Sequence, residues 1–170
     1  MIQIQAPHPH PGGHYLSTPH IFLGGSIEMG TAEKWQDRVL KDLAKELVVV
    51  FNPRRDDWDK SWVQEADNPQ FFEQVTWELD SLAESDIKIF YFDPKTQSPI
   101  TLLELGLFVN QCMADDDAGQ RVIVCCPKGY WRKGNVDIVC QRAGVSVLET
   151  YDEMIAEVKA AIQHIQNLYL

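Results

Sequence analysis

Basic residues are scarce in this chain: 15 Lys and Arg stand against 25 Asp and Glu, leaving a formal net charge of −10. That deficit argues against a polyanion partner, because affinity for a phosphate backbone comes from clustered Lys and Arg that release counterions. Neither nucleic acid nor an anionic membrane surface is expected as a partner. Long apolar runs are lacking too. A stretch such as Leu47 to Phe51 falls far short of the roughly 20 residues that span a bilayer, and Met1 to Thr18 has no basic start or apolar segment of a secretory signal. The four cysteines, Cys112, Cys125, Cys126 and Cys140, make no CxxC pair and no His-flanked zinc pattern. Adjacent Cys125 and Cys126 inside an apolar run read as reduced thiols in a strand, which suits a cytoplasmic compartment. The chain has neither GxGxxG nor GK[ST], so no cofactor is expected, and no metal.

What is present fits one ordinary domain: 170 residues, 45% of them hydrophobic, enough for a buried core. Residues 1–19 hold Pro7, Pro9, Pro11 and Pro19 with His8, His10 and His14 between them. Alternating His and Pro can mark a metal tract, but the prolines block regular structure, and a flexible arm is the expectation. Residues 20–170 then alternate short apolar runs with longer amphipathic ones. His20 to Gly25, Leu47 to Asn52, Ile87 to Asp93, Arg121 to Cys126 and Val145 to Leu148 read as strands buried on both faces.

Between those runs lie helix signals. Trp35, Val39, Leu43 and Leu47 recur every four residues within Thr31 to Glu46 and just beyond it, the stripe of a helix. Asn68-Pro69 and Ser98-Pro99 each place a capping residue before a proline, opening helices to about Ala83 and Met113. Lys133 to Ala143 and Tyr151 to Gln166 complete the set. Five strands alternating with five helices predict an α/β fold, a flavodoxin-like doubly wound parallel sheet of order 2-1-3-4-5 with helices on both faces. In such sheets ligands bind at the carboxyl ends of the strands, so the chemistry is sought in the loops found there.

The first of these loops, Gly24-Gly25-Ser26, reads either as a turn or as a place where backbone approaches a ligand. The second, Asn52 to Trp62, sets Trp58 and Trp62 beside Arg54, Arg55, Asp56 and Asp57. Exposed Trp rings of this kind suit stacking on a heterocycle whose polar edge Arg or Asp reads, or packing on a neighbouring subunit. Beyond the third strand, Glu104 is a lone carboxylate among apolar neighbours, and burying it is costly without compensation. An early helical turn favours its ionised form, and an ionised carboxylate in a cleft is what a nucleophile for glycosyl transfer requires. The other reading is a core-facing Glu bonded to backbone amides. On the preceding helix Gln74, Glu78, Ser81 and Ser85 share one face, so Glu78 and Asp80 point to different sides.

From His20 to the C-terminus the residues Ile21-Phe22-Leu23-Gly24-Gly25-Ser26, Trp77-Glu78-Leu79 eight residues ahead of Asp86, and Leu103-Glu104-Leu105-Gly106 together resemble the nucleoside 2-deoxyribosyltransferase family. Asn52 to Arg55 and Arg132 to Asn135 resemble segments of one of its branches. The resemblance implies base exchange on 2′-deoxynucleosides by a retaining double displacement, with Glu104 as nucleophile and Glu78 as acid/base or sugar-orienting group, Asp80 being the alternative to Glu78. It puts a sugar contact at Ser98, six residues before Glu104, where Ser also suits the related hydrolases of deoxynucleoside 5′-monophosphates. Phe22, Gly24, Gly25, Ser26, Asn52, Arg55, Asp57, Trp58 and Asn135 are the remaining substrate-binding candidates. A homo-oligomer with shared active sites is implied, Asn135 reaching a neighbouring subunit's site. A non-catalytic module binding a nucleotide or protein through the Trp58/Trp62 loop is the expectation from a different class.

Overall fold

Alternation along each strand sends neighbouring side chains into two separate apolar layers. Ile21 and Leu23 enter one layer with Val48, Val50, Ile87, Ile89 and Ile123. Phe22 enters the other with Val49, Phe51, Phe90, Phe92, Val122 and Val124. A sheet apolar on both faces has to be covered on both, which is the physical reason for the layered architecture.

The computed structural model describes residues 1–10, 17–27, 32–59, 61–110 and 121–168. The elements run β1 (Ile2–Gln5), β2 (His20–Gly25), α1 (Trp35–Asp42), β3 (Val49–Asn52), α2 (Pro69–Glu84), β4 (Ile87–Tyr91), α3 (Pro99–Phe108), β5 (Arg121–Cys125), α4 (Lys133–Arg142), β6 (Val147–Leu148) and α5 (Tyr151–Leu168). Six strands form one sheet in the order β1-β3-β2-β4-β5-β6, and every pairing is parallel. Trp35 and Val39 of α1 and Met154, Val158, Ile162 and Ile165 of α5 cover one face. Trp77 and Leu82 of α2, Leu105 and Phe108 of α3, and Val136 and Cys140 of α4 cover the other.

Two expectations are corrected here. The sheet has six strands rather than five, and its order is not 2-1-3-4-5, because Ile2–Gln5, assigned to the arm, pairs with Val49–Asn52 as an added edge strand. The prolines that argued for an arm start only at Pro7 and leave Ile2–Gln5 free to extend the sheet. Beyond it the chain stays attached: Trp77 Nε1 donates to the His8 carbonyl at 2.7 Å. The His10 ring lies 4.7 Å from that of Phe51 and bonds Glu84 and Ser81 of α2. Within the rest of the expected arm, residues 11–16 lie outside the described residues. The second correction is length. Helix α1 stops at Asp42 and Leu47 is 70% exposed, because the chain has to turn there to deliver β3 to the sheet.

Asn68 caps α2 through its side chain, accepting from the Gln70 and Phe71 amides. Ser98 stands at the equivalent position of α3 but does not cap it, and its backbone is left-handed at φ 48°. Its hydroxyl is used elsewhere, as described below.

Gly25 is where backbone and side chain meet most closely. A Cβ there would lie 2.6 Å from Trp35 Cζ2 and 2.6 Å from the Tyr91 carbonyl oxygen. Gly25→Ala is expected to destabilise the fold by about 1–3 kcal/mol through overpacking. Denaturant unfolding measures it, and an unchanged midpoint would contradict this account of the turn.

Candidate active site

The carboxyl ends of β2, β3 and β4 and the helices α2 and α3 bring together two of the acidic residues singled out in the sequence. Glu104 sits in the second turn of α3 with Thr101, Leu105 and Phe108, all buried; the residue itself is 7% exposed. Glu78 sits half-buried in the middle of α2. One turn earlier, Gln74 Nε2 donates to Glu78 Oε1 at 2.8 Å and to the Pro53 carbonyl at 3.0 Å, tying the carboxylate to the loop after β3.

Both carboxyls titrate well above the ordinary glutamate range. Burial pushes Glu78 up to about 7, against the hydrogen bond from Gln74, which favours the anion. Glu104 is pushed up to about 8, first by burial and then by repulsion from Glu78. The expectation that Glu104 has a low pKa is therefore corrected. The helix dipole acts within the first turn, whereas Glu104 is the sixth residue of α3 and desolvation prevails. Two carboxyls that repel each other in a dry site lose their protons in two separated steps. Near neutral pH the pair then holds about one proton, giving one acid and one base side by side.

The other sequence candidates divide. Asp80 is exposed on the far side of α2, as helical spacing predicts, and does not reach the pair. Phe22 is 1% exposed and lies in the core among Phe51, Phe90 and Trp77, not in the cleft. Its mid-strand position, opposite Phe51 and Lys88, explains why. At Gly24 and Gly25 the space a side chain would take is filled by the Ile89 and Tyr91 carbonyls and the Phe90 and Trp35 rings. Asn52 is 3% exposed, and its side chain accepts from the Arg54 amide at 3.1 Å, shaping the turn.

Ser26 and Ser98 do come together, with their hydroxyls 2.6 Å apart. Thr96 completes the group at 2.7 Å from Ser26 and 2.8 Å from Ser98, and the Asp93 amide donates to Ser26 Oγ at 2.9 Å. Left-handed backbone at Ser98 aims its hydroxyl into this cluster instead of at the helix amides. In the loop after β3, Arg55 makes a two-pronged pair with Asp57, at 2.9 and 3.0 Å. Its guanidinium carbon lies 5.1 Å from the Trp62 ring, which meets Trp58 edge-on at 5.1 Å. Arg54 is a structural tie, donating to the carbonyls of Ala32 and Glu33 and to Gln36. Asn135 is exposed on α4, lining a groove of about 330 Å³ with Leu102 and Leu105 of α3 and Arg132, Val136 and Val139.

Sequence reasoning missed the roles of Gln74 and Thr96. Gln74 had a signal, since it shares a helical face with Glu78 one turn away; Thr96, two residues before Ser98, had none that a loop sequence displays. Among the described residues, no three His, Cys, Asp or Glu gather as a metal site would require.

The fold is thus a doubly wound parallel α/β sheet with a buried Glu104 and a half-buried Glu78 brought together on α3 and α2. Residues 18–130, well over half of the chain, match the family model described as nucleoside 2-deoxyribosyltransferase like. The chain belongs to that family. No curated protein matches it.

The pair carries a pH signature. Raised carboxyl pKa values mean that the folded state holds protons the unfolded chain releases, so stability falls as pH climbs from the unfolded value near 4.5 through about 7 and 8. Glu104→Gln removes one ionisation and is expected to stabilise the protein at pH 8 by on the order of 2 kcal/mol, with little gain at pH 4. Chemical denaturation at the two pH values checks this; an equal effect at both would contradict the raised pKa.

Proposed function

We propose that this protein transfers 2-deoxyribosyl groups between nucleobases by a retaining double displacement. The carrying observation is the buried, mutually repelling pair Glu78 and Glu104, in a member of the nucleoside 2-deoxyribosyltransferase-like family. In the first half-reaction the proton of the pair, which the higher pKa of Glu104 favours there at rest, passes to Glu78, and the Glu104 carboxylate oxygen so freed bonds to C1′ of a 2′-deoxynucleoside. The C1′–N bond breaks, its electron pair passes to the base nitrogen, and that nitrogen takes the proton held by Glu78. In the second half an acceptor base attacks C1′ through nitrogen, the glutamyl ester breaks, and the acceptor's N–H proton returns to Glu78. Two inversions retain configuration. The negative charge on Glu104 stabilises the oxocarbenium-like transition state before bonding to it, and a dry site strengthens that interaction.

The Arg55, Asp57, Trp58 and Trp62 cluster supports a base site: rings for stacking and a charged pair for the polar edge. The net charge of −10 favours a small neutral ligand over a polyanion. A second reading, hydrolysis of deoxynucleoside 5′-monophosphates, is favoured by one feature. The Ser26, Thr96 and Ser98 hydroxyls, with the Asp93 amide nearby, form a neutral cluster suited to a 5′-hydroxyl or a phosphate.

We also propose a homo-oligomer. Ile100, Leu103 and Leu107 of α3 are more than half exposed, as are Ile138 of α4 and Trp131 just before it. A helix apolar on nearly all sides is normally covered on all sides, and Gly106, open to solvent, lets a neighbour approach the same face. Asn135 lies on the adjoining groove, which supports its reach into a neighbouring site. Cys125, Cys126 and Cys140 are free and buried, which supports a reducing, cytoplasmic compartment. No described helix is long and apolar enough to cross a membrane.

Incubation with 2′-deoxyinosine and free adenine, followed by chromatography, tests the chemistry. Base exchange is expected, with Glu104→Ala lowering it by about 10³-fold or more and Glu78→Gln by roughly 10²- to 10⁴-fold. Exchange that survives Glu104→Ala overturns the assignment. Release of base from a deoxynucleoside 5′-monophosphate without exchange transfers the conclusion to the second reading, and full activity in a strictly monomeric protein overturns the shared site.

A further inference from the structure

Gln74 is 3% exposed, and its side-chain amide has two partners that fix its orientation. The Pro53 carbonyl at 3.0 Å is an acceptor and nothing else, so the group facing it has to be the nitrogen. The same nitrogen lies 2.8 Å from Glu78 Oε1, using its second N–H. A flipped amide would set its oxygen against the Pro53 oxygen, so Gln74 donates to Glu78 and never accepts from it. Gln74 Oε1 is left buried and without a partner among the described residues. A buried acceptor without a donor is unfavourable, and the amide keeps this orientation all the same.

From this geometry we propose that Gln74 is a positioning residue that holds Glu78 Oε1 as a permanent hydrogen-bond acceptor, so that Glu78, whenever it takes the proton of the Glu78–Glu104 pair, carries it on Oε2. The inference rests on the transferase reading above and adds to it the atom that delivers the proton. With Oε1 facing an N–H donor, a protonated Glu78 has only Oε2 to carry the hydrogen. The carboxyl cannot rotate to exchange its oxygens without breaking the bond to Gln74. Because Pro53 belongs to the loop that also carries Arg55, Trp58 and Trp62, the tie fixes the acid relative to the proposed base site. The donated hydrogen bond also favours the Glu78 anion, so at rest Gln74 biases the shared proton toward Glu104, and Glu78 receives it on Oε2 only as the reaction begins.

Gln74→Met removes the N–H donors with little change of shape, and two readouts separate positioning from mere packing. In the first, carboxyl carbons of glutamate-labelled protein are titrated by NMR, Glu78 being assigned by its loss in Glu78→Gln. The Glu78 titration is expected to move to higher pH in Gln74→Met. In the second, kcat for base exchange is expected to fall about tenfold or more with little change in KM, and the pH–rate profile to shift upward. Should Gln74→Met fail to fold, Gln74→Glu keeps the shape, and its ionised form cannot donate, so the same direction is expected. An unmoved Glu78 titration, or a uniform loss of rate with an unshifted profile, overturns the proposal. Absence of exchange in the wild-type protein overturns the transferase reading alone, because the carboxyl titration still decides whether Gln74 holds Glu78.

Discussion

The constraint on which the site depends is that two carboxylates cannot both be charged in one dry cleft. Ordinary burial would remove such groups or leave them solvated; here α2 and α3 hold Glu78 and Glu104 close enough that repulsion from Glu78 adds to burial in raising the Glu104 pKa. The arrangement opposes folding at neutral pH. Its chemical consequence is two carboxyls that lose their protons in separate steps.

Other contacts at the carboxyl end of the sheet hold the loops there in place. Trp35 against Gly25 fixes the end of β2, and Arg54 ties the loop after β3 to the start of α1 through three acceptors. Tyr130 and Trp131 both donate to the Gln97 carbonyl, at 2.6 and 3.0 Å, steadying the turn that leads into α3. Gln74 joins the loop after β3 to Glu78. Backbone strain is concentrated at Ser98, whose left-handed turn places a hydroxyl where a helix cap would normally waste it on an amide.

Much of the fold was legible from the sequence because short β-branched runs and four-residue apolar spacing are local signals. The edge strand Ile2–Gln5 was not: Ile2 and Ile4 are too few to read as a strand, and their pairing with Val49–Asn52 is a long-range event. At the site, Glu104 stood out because a lone acid among Leu102, Leu103, Leu105 and Leu107 is chemically conspicuous. Its protonation was misjudged because a dipole can be read from helix position while desolvation depends on which helix packs opposite. Phe22 is a substrate candidate only through the family resemblance; whether it faces a cleft or the core is set by the parity of the strand and by Phe51 beside it. The hydroxyl cluster joins residues 26, 96 and 98 across two loops, a meeting that no spacing displays.

The central claim is that Glu104 forms a covalent bond to the sugar. Mixing the protein with a 2′-deoxynucleoside in the absence of an acceptor base, then quenching in acid and measuring intact mass, tests it most directly. The account predicts an added mass of one deoxyribosyl group, located by peptide fragmentation on Glu104, absent in Glu104→Gln and discharged when adenine is supplied. Turnover with no adduct under rapid quench, or an adduct on any other residue, would contradict it.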